Sequence, residues 1–183
     1  MNNFEVTIVK PSEANVIKQM INQMYGFEYE VRSVSAMEQV IEQKKQVFVI
    51  AKQGENIVGF AGATTNSDEY KQITTKTQTV IEYIYTIPTH RNFYIAFELA
   101  KKLLQTLAEW QKTCAIMQVQ TFNKQRFFHY ALSDKNIIAE TTCTTSAGKQ
   151  YFDQVLLVED ITKVLAQTCK QFIQKVGLYK KSC

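Results

Sequence analysis

A short turn that leads from an apolar strand into a long helix is the part of this sequence best suited to chemistry. Pro88 ends the strand, Arg91 follows in the turn, and an amphipathic helix begins directly afterwards. A helix N-terminus presents backbone N–H groups without helical partners and the positive end of the helix dipole. Such a site binds phosphate or pyrophosphate, and Arg91 would add a fixed positive charge.

Glu82 is the carboxylate best placed to act as a general base. It is the only acidic residue of the strand predicted over Thr79–Ile87. A half-buried carboxylate has a raised pKa, which would suit proton transfer near neutral pH. The alternation of the strand puts Glu82 on the same face as Val80 and Ile84. The alternative is an outward-facing charge without a chemical role.

Hydrophobic periodicity predicts the elements that would position these residues. Runs of β-branched and aromatic residues predict the strands Phe4–Val9, Val47–Ala51, Ile57–Thr65, Thr79–Ile87, Ala115–Gln120, Ile137–Thr144 and Tyr151–Val158. Apolar residues at helical spacing predict helices after Pro11, over Ser35–Lys44, after Arg91, over Asn123–Tyr130 and over Ile161–Val176, the last ending at Gly177. Gly59 and Gly62 in the third strand permit either close approach of another backbone or a β-bulge.

This order predicts an α/β fold with a mixed, mostly antiparallel central sheet of about seven strands and helices on both faces. The long helix between two strands implies a right-handed crossover and a parallel pair, whereas the hairpins imply antiparallel neighbours. The length of 183 residues suits a single domain over residues 1–183, with residues 161–177 as its C-terminal helix.

The turn and the segment after the next strand resemble the GCN5-related N-acetyltransferase (GNAT) family. That family carries Arg/Gln-x-x-Gly-x-Gly/Ala between a strand and an amphipathic helix. Arg91 matches the first position and Ala96 the last, while Tyr94 replaces the central glycine. The family also carries an Asn after the next strand and a Tyr seven residues later, which Asn123 and Tyr130 match. The order of elements is similar over nearly the whole chain.

The resemblance implies that acetyl-CoA binds in a V-shaped opening between two splayed parallel strands. Backbone groups of Ile84, Tyr85 and Thr86 would pair with the pantetheine arm. Beside Arg91, the pyrophosphate would be held by the amides of a continuous run of residues, namely Asn92, Phe93, Tyr94, Ile95, Ala96 and Phe97. Asn123 would form a hydrogen bond to the cofactor near its pantetheine.

The resemblance also implies the catalytic roles. Tyr130 would lie beside the thioester sulfur and protonate the departing thiolate, since a phenol with a pKa of about 10 is reasonably matched to a thiol of about 8.5. The attacking amine must be neutral, so Glu82, or a water chain leading to a base, would take its proton. Some relatives place a Glu in the strand before the Asn, whereas this chain has Gln118, which cannot act as a base.

Tyr94 is the main departure from the family pattern, because a Cβ at this position crowds the backbone against the pyrophosphate. Its ring either points along the helix flank and leaves the amide usable, or blocks the site. The Gly-Phe that usually follows the Tyr-ending helix is also missing, since Leu132-Ser133-Asp134 stands there. These departures favour, as an alternative, a catalytically weakened acyl-CoA-binding or partner-binding module.

Tyr25, Phe27, Glu28 and Glu30 are the predicted acceptor-binding residues. They follow the first helix, which contributes to substrate choice in the family that the chain resembles. Aromatic rings mixed with carboxylates suit a cationic amine through charge attraction and cation–π contact. We expect a small amine, polyamine- or aminoglycoside-like amines included, or a peptide amino group. The alternative is a surface loop that packs its own aromatics.

Composition limits the classes of partner and the cellular location that we expect for this protein. The net charge is +4, but few of the basic residues are arginines, which disfavours sequence-specific nucleic-acid binding. The four cysteines and two histidines form no zinc pattern, so no metal is expected. No apolar run approaches about 20 residues and no secretory signal is visible. These features predict a cytoplasmic protein without a membrane partner. We expect a monomer or a homodimer, since no sequence feature demands a dimer.

The functions that remain are therefore three. The first is an acetyl-CoA-dependent N-acetyltransferase that acts by direct attack in a ternary complex. The second is the weakened binding module. The third is a GNAT protein that acts on aminoacyl-tRNA, for which the lysine-rich composition allows non-specific phosphate attraction.

Overall fold

The computed structural model describes residues 4–26, 33–69, 71–72, 79–90, 93–121, 134–144, 148 and 150–170. The strands in this part of the chain are β1 (Glu5–Ile8), β2 (Gln46–Gln53), β3 (Asn56–Thr64), β4 (Val80–Thr86), β5 (Ala115–Thr121), β6 (Ile137–Thr144) and β7 (Gln150–Val158). The α-helices are α1 (Ala14–Tyr25), α2 (Val34–Glu42), α3 (Phe93–Glu109) and α4, of which residues 161–170 are described. The helix predicted over Asn123–Tyr130 lies outside the described residues. None of the described helices is long and apolar enough to cross a membrane.

The chain divides into two compact units. The first comprises Met1–Ser67 and Ile81–Thr106, and the second comprises Asp68–Val80 and Leu107–Cys183. The predicted class, a mixed α/β fold with a mostly antiparallel seven-stranded sheet, is confirmed. The single domain over residues 1–183 stays a prediction.

In the first unit the strands lie in the order β1-β2-β3-β4. β1 pairs antiparallel with β2, and β2 pairs antiparallel with β3 across the turn at Gly54. This register places Phe48 opposite Gly62. At the far end, the Ile87 N–H donates a hydrogen bond to the Val58 carbonyl at 3.0 Å and ties the end of β4 to β3. β1 and β4 are therefore the outermost of these four strands.

The core of the first unit joins α1 and α2 to one face of β2 and β3. Its members are apolar side chains that are almost inaccessible to water: Val9, Ala14, Ile17, Met20, Ile21, Met37, Ile41, Phe48, Ile50 and Phe60. Burial of each larger side chain stabilises the fold by about 1.5–3 kcal/mol. The helices predicted after Pro11 and over Ser35–Lys44 are confirmed by α1 and α2.

Gly59 of β3 lies where β4 and α3 approach the strand most closely. A Cβ at this position would lie 2.7 Å from the carbonyl oxygen of Tyr85 and 3.0 Å from Cδ1 of Leu99. Neither neighbour can withdraw easily, because one is backbone and the other is a fully buried side chain. Gly59 therefore sets the spacing between β3, β4 and the first half of α3, and the close backbone approach predicted at this glycine is confirmed.

The second unit contains the strand order β5-β7-β6, and both pairings are antiparallel. Val80, Ile116 and Leu157 form a small buried cluster on one face. The N–H of Ile161, at the start of α4, donates a hydrogen bond to the carbonyl of Thr113 at 2.9 Å. α4 is thereby tied to the segment that enters β5.

Replacement of Gly62 by alanine is expected to lower the free energy of unfolding by about 1–3 kcal/mol. The new Cβ would lie 2.5 Å from Cδ1 and 2.6 Å from Cε1 of Phe48, whose ring is buried. Urea unfolding measures the change. In a Phe48→Leu background the same substitution should cost clearly less, and an equal cost in both backgrounds would show that the ring is not the obstacle.

Candidate functional site

The segment between β4 and α3 holds the candidate anion-binding site. β4 ends at Thr86, Pro88–His90 form a single 3₁₀ turn, and α3 begins at Phe93. The N–H of His90 donates to the Ile87 carbonyl at 2.9 Å and closes the turn. At the N-terminus of an α-helix the first N–H groups point outward along the axis, and the helix dipole places its positive end there. They can hold a diphosphate without any particular side chain.

The predicted pyrophosphate residues are only partly described. Tyr94, Ile95, Ala96 and Phe97 lie in the first turns of α3. Arg91 and Asn92 lie outside the described residues, as does the side chain of Phe93. Ile95 and Phe97 are buried, which anchors the start of the helix. The role of the amides stays a prediction.

The ring of Tyr94 lies on the flank of α3 that faces β1. Its centroid is 5.3 Å from the centroid of the Phe4 ring in an edge-to-face contact. With Val6 and Lys102, the two rings line a groove of about 400 Å³, and Tyr94 stays 44% exposed. β1 and β4 are at opposite ends of the strand order in this unit. Of the two orientations considered from the sequence, the ring takes the one along the helix flank.

β4 carries the three residues predicted to pair with the pantetheine arm. The rings of Tyr83 and Tyr85 lie 5.6 and 5.9 Å from the ring of Phe60, on the face covered by α1 and α2. Because side chains alternate along a strand, Ile84 and Thr86 point to the opposite face. The proposed contacts of Ile84, Tyr85 and Thr86 use backbone groups, so this alternation does not remove them.

Glu82 lies in the middle of β4 with an exposed side chain. The prediction of a half-buried carboxylate is therefore wrong. A carboxylate loses much solvation energy on burial and stays in contact with water unless donors or an opposite charge replace that water. Exposure leaves the carboxylate open to proton exchange with solvent, and its role as base stays a prediction.

Of the predicted acceptor-binding residues, Tyr25 alone lies in the described part of the chain. Tyr25 is the last residue of α1 and is 42% exposed, next to Gly26, whose φ of 75° ends the helix. Phe27, Glu28 and Glu30 lie outside the described residues, and so do Asn123 and Tyr130. Tyr25 is thus accessible to solvent at the end of α1, and its role stays a prediction.

A polar pair on β5 and β7 was missed by the sequence analysis. The amide nitrogen of Gln118 donates hydrogen bonds to both carboxylate oxygens of Asp153, each at 2.9 Å. Gln118 is the position where some relatives of the resembled family carry a glutamate, so a carboxylate does reach this place from the neighbouring strand. The signal in the sequence was a lone acidic residue within the predicted apolar strand Tyr151–Val158.

Comparison with known proteins decides the family. The family model described as acetyltransferase (GNAT) family matches residues 15–131, more than half of the chain. The chain belongs to the GNAT acetyltransferase family. No curated protein matches the chain significantly.

Solved GNAT structures share the fold at low sequence identity. yncA of Salmonella typhimurium, solved with its cofactor acetyl-CoA, has a TM-score of 0.63 and 11% identity, covering 86% of this chain and 94% of its own. An N-acetyltransferase from Staphylococcus aureus Mu50 has a TM-score of 0.57 and 16% identity over 87% and 99%. The diaminobutyrate acetyltransferase EctA from Paenibacillus lautus, solved with L-2,4-diaminobutyric acid and coenzyme A, has a TM-score of 0.56 and 14% identity over 88% and 97%.

Replacement of Tyr94 by alanine is expected to change the dissociation constant of coenzyme A by less than about threefold, because its ring lies beside Phe4 and only its amide is a proposed contact. The lost ring contact should lower the free energy of unfolding by about 1 kcal/mol. Calorimetric titration and urea unfolding measure the two quantities. Phe4→Ala is the matched control for stability, and a gain in affinity above tenfold in Tyr94→Ala would mean that the ring occupies the site.

Proposed function

We propose that this GNAT protein is an acetyl-CoA-dependent N-acetyltransferase that moves an acetyl group to a primary amine of a small molecule or peptide by direct attack in a ternary complex. The observation that carries the proposal is the segment from β4 to α3. The 3₁₀ turn Pro88–His90 follows β4, α3 begins at Phe93, and the one bulky departure from the family motif, Tyr94, packs against Phe4.

Acetyl-CoA is the proposed cofactor, and bound acetyl-CoA supplies an acetyl group activated as a thioester. The amides of residues 92–97 and the guanidinium of Arg91 would hold its pyrophosphate. The backbone of Ile84, Tyr85 and Thr86 would pair with its pantetheine arm, and Asn123 would bind near that arm. The yncA and EctA structures, solved with acetyl-CoA and coenzyme A, support this choice.

The proposed catalytic groups are Tyr130 and Glu82. The phenolic oxygen of Tyr130 would donate a proton to the leaving group, a role typically worth about 10²–10⁴ in rate. Glu82 would accept the proton of the amine through water, which its exposed position allows. A backbone N–H of the strand would stabilise the developing oxyanion.

The proposed acceptor is a cationic amine. The exposed ring of Tyr25 supports an aromatic wall at the end of α1, where the proposed contacts Phe27, Glu28 and Glu30 follow in the sequence. EctA, which has the same fold, was solved with an amino acid that bears two amino groups. The proposed location is the cytoplasm.

Acetylation of a panel of amines, followed by thiol release, tests the function. The wild-type protein should bind acetyl-CoA in calorimetry and release thiol with at least one primary amine. Tyr130→Phe should lower kcat by about 10²-fold or more while the affinity for acetyl-CoA stays within about threefold. Glu28→Ala/Glu30→Ala should raise KM for cationic amines.

Tyr83→Phe is the matched control, because it makes the same chemical change in a ring that packs against Phe48 and Phe60. It should leave kcat unchanged. Binding of acetyl-CoA without thiol release on any amine would reject the enzyme in favour of a binding module. Absence of acetyl-CoA binding would reject both the enzyme and the acyl-CoA-binding module.

A further inference from the structure

β1 lies at one end of the strand order, and its outer edge pairs with no strand in the described part of the chain. The N–H of Val9 donates to the carbonyl of Phe48 on β2 at 2.9 Å, which makes these two residues a hydrogen-bonded pair. In an antiparallel pair, such residues alternate with residues whose backbone N–H and C=O point away from the partner strand. The backbone groups of Val6 and Ile8, and the carbonyl of Phe4, therefore point to the outer edge.

The side chains of the same residues form an apolar stripe on the face of β1 that lies beside α3. Phe4 and Val6 line the groove next to Tyr94, and Ile8 follows on the same face because side chains alternate along a strand. Ile8 is 38% exposed and Tyr94 44% exposed. Among the residues that the structure describes, Tyr25 is the other large apolar side chain with comparable exposure. Exposed apolar surface is thus concentrated at the edge of β1.

β6, the outermost strand at the other end of the order, is built differently. Its exposed residues are polar or charged, namely Glu140, Thr141, Thr142 and Thr144. Charged and polar side chains protect a strand edge from pairing, whereas unpaired backbone groups beside apolar side chains form a template for another strand. The one charged residue of β1, Glu5, lies on the face opposite the apolar stripe. This contrast favours β1 as the edge that takes a partner strand.

The sequence of β1 is complementary to itself. When two copies run antiparallel about a twofold axis, Val6 can exchange N–H···O bonds with the partner's Val6, because its backbone groups point outward. The same register places Ile8 opposite the partner's Phe4, a favourable pairing of an aliphatic side chain with an aromatic ring. It also places Glu5 opposite the partner's Thr7. A register centred on Glu5 would instead set two carboxylates directly opposite each other, which is unfavourable.

We propose that two copies of this chain form a twofold-symmetric dimer in which their β1 strands pair antiparallel with Val6 at the axis. The partner's Ile8 covers the ring of Phe4 and thereby supports the ring pair of Phe4 and Tyr94. Because a contact through one short strand buries little area, we expect a weak dimer with a Kd of about 10–100 µM. The inference does not depend on the proposed acetyltransferase function.

Sedimentation velocity over about 5–500 µM protein tests the dimer, since this range brackets the expected Kd. The wild-type chain should change from monomer to dimer as its concentration rises. Ile8→Asp should raise the Kd by about tenfold or more, because it places a charge against the partner's Phe4 ring. Thr141→Asp is the matched control, since it adds the same charge to an exposed position of the other outermost strand. It should leave the Kd within about threefold of the wild-type value.

Val6→Pro tests the backbone contribution. It removes an N–H that points to the outer edge and leaves the hydrogen bonds between β1 and β2 in place, as proline at a strand edge permits. The Kd should rise by about tenfold or more, because hydrogen bonds across the axis are lost. The urea midpoint, measured where both proteins are monomeric, should stay close to the wild-type value and show that the variant folds.

Val6→Cys tests the register. In the proposed dimer this position faces its own copy at a Cα separation of about 5.5 Å, which lies within the range of a disulfide. Oxidation should link the two copies, whereas Glu5→Cys, which lies opposite the partner's Thr7, should link far less. The wild-type chain is oxidised alongside, because it carries four cysteines of its own.

A wild-type chain that stays monomeric at the highest concentration would overturn the inference. So would a dimer whose Kd is the same in Ile8→Asp, Val6→Pro and Thr141→Asp, or a dimer in which Glu5→Cys links as readily as Val6→Cys. None of these results bears on acetyl transfer, which is measured by thiol release.

Discussion

The placement of α3 against β3 and β4 depends on the missing side chain at Gly59. The Tyr85 carbonyl and the Leu99 side chain occupy the space that a Cβ would need. Because protein interiors are close-packed, any added atom would displace either the strand or the helix. Displacement would move the first turn of α3 relative to the backbone of Ile84–Thr86, and the two proposed halves of the cofactor site would separate. A core constraint thus controls the geometry of a backbone-based site.

A site made of backbone amides tolerates a bulky side chain when that side chain can pack elsewhere and leave the amides accessible. The ring of Tyr94 packs against Phe4, so an aromatic contact accommodates its bulk outside the proposed anion-binding turn. The second unit shows a charged side chain with a neutral partner. The amide of Gln118 donates hydrogen bonds to both carboxylate oxygens of Asp153, and a neutral amide does not cancel the charge of a carboxylate.

Most of the fold and the location of the turn were predictable from the sequence, because apolar periodicity, Pro88 and the glycines of β3 are local signals. The candidate site was predictable only in part. Alternation identifies the face of Glu82 but not whether another element covers it, and the structure leaves it exposed. Asp153 lies 35 residues from Gln118, and only the register of β5 with β7 brings them together. The direction of Tyr94 likewise depends on Phe4, a distant residue.

The alternation of Asp153 and Gln154 along β7 also protects the strand from pairing errors. In the native register the amide of Gln154 is buried and bonded to Glu140, while the carboxylate of Asp153 stays half-exposed. A slip by one residue would reverse the two faces, forcing a charge into the interior and leaving the buried amide's site without its donor. A misaligned β7 would therefore be disfavoured during folding by the cost of burying this charge.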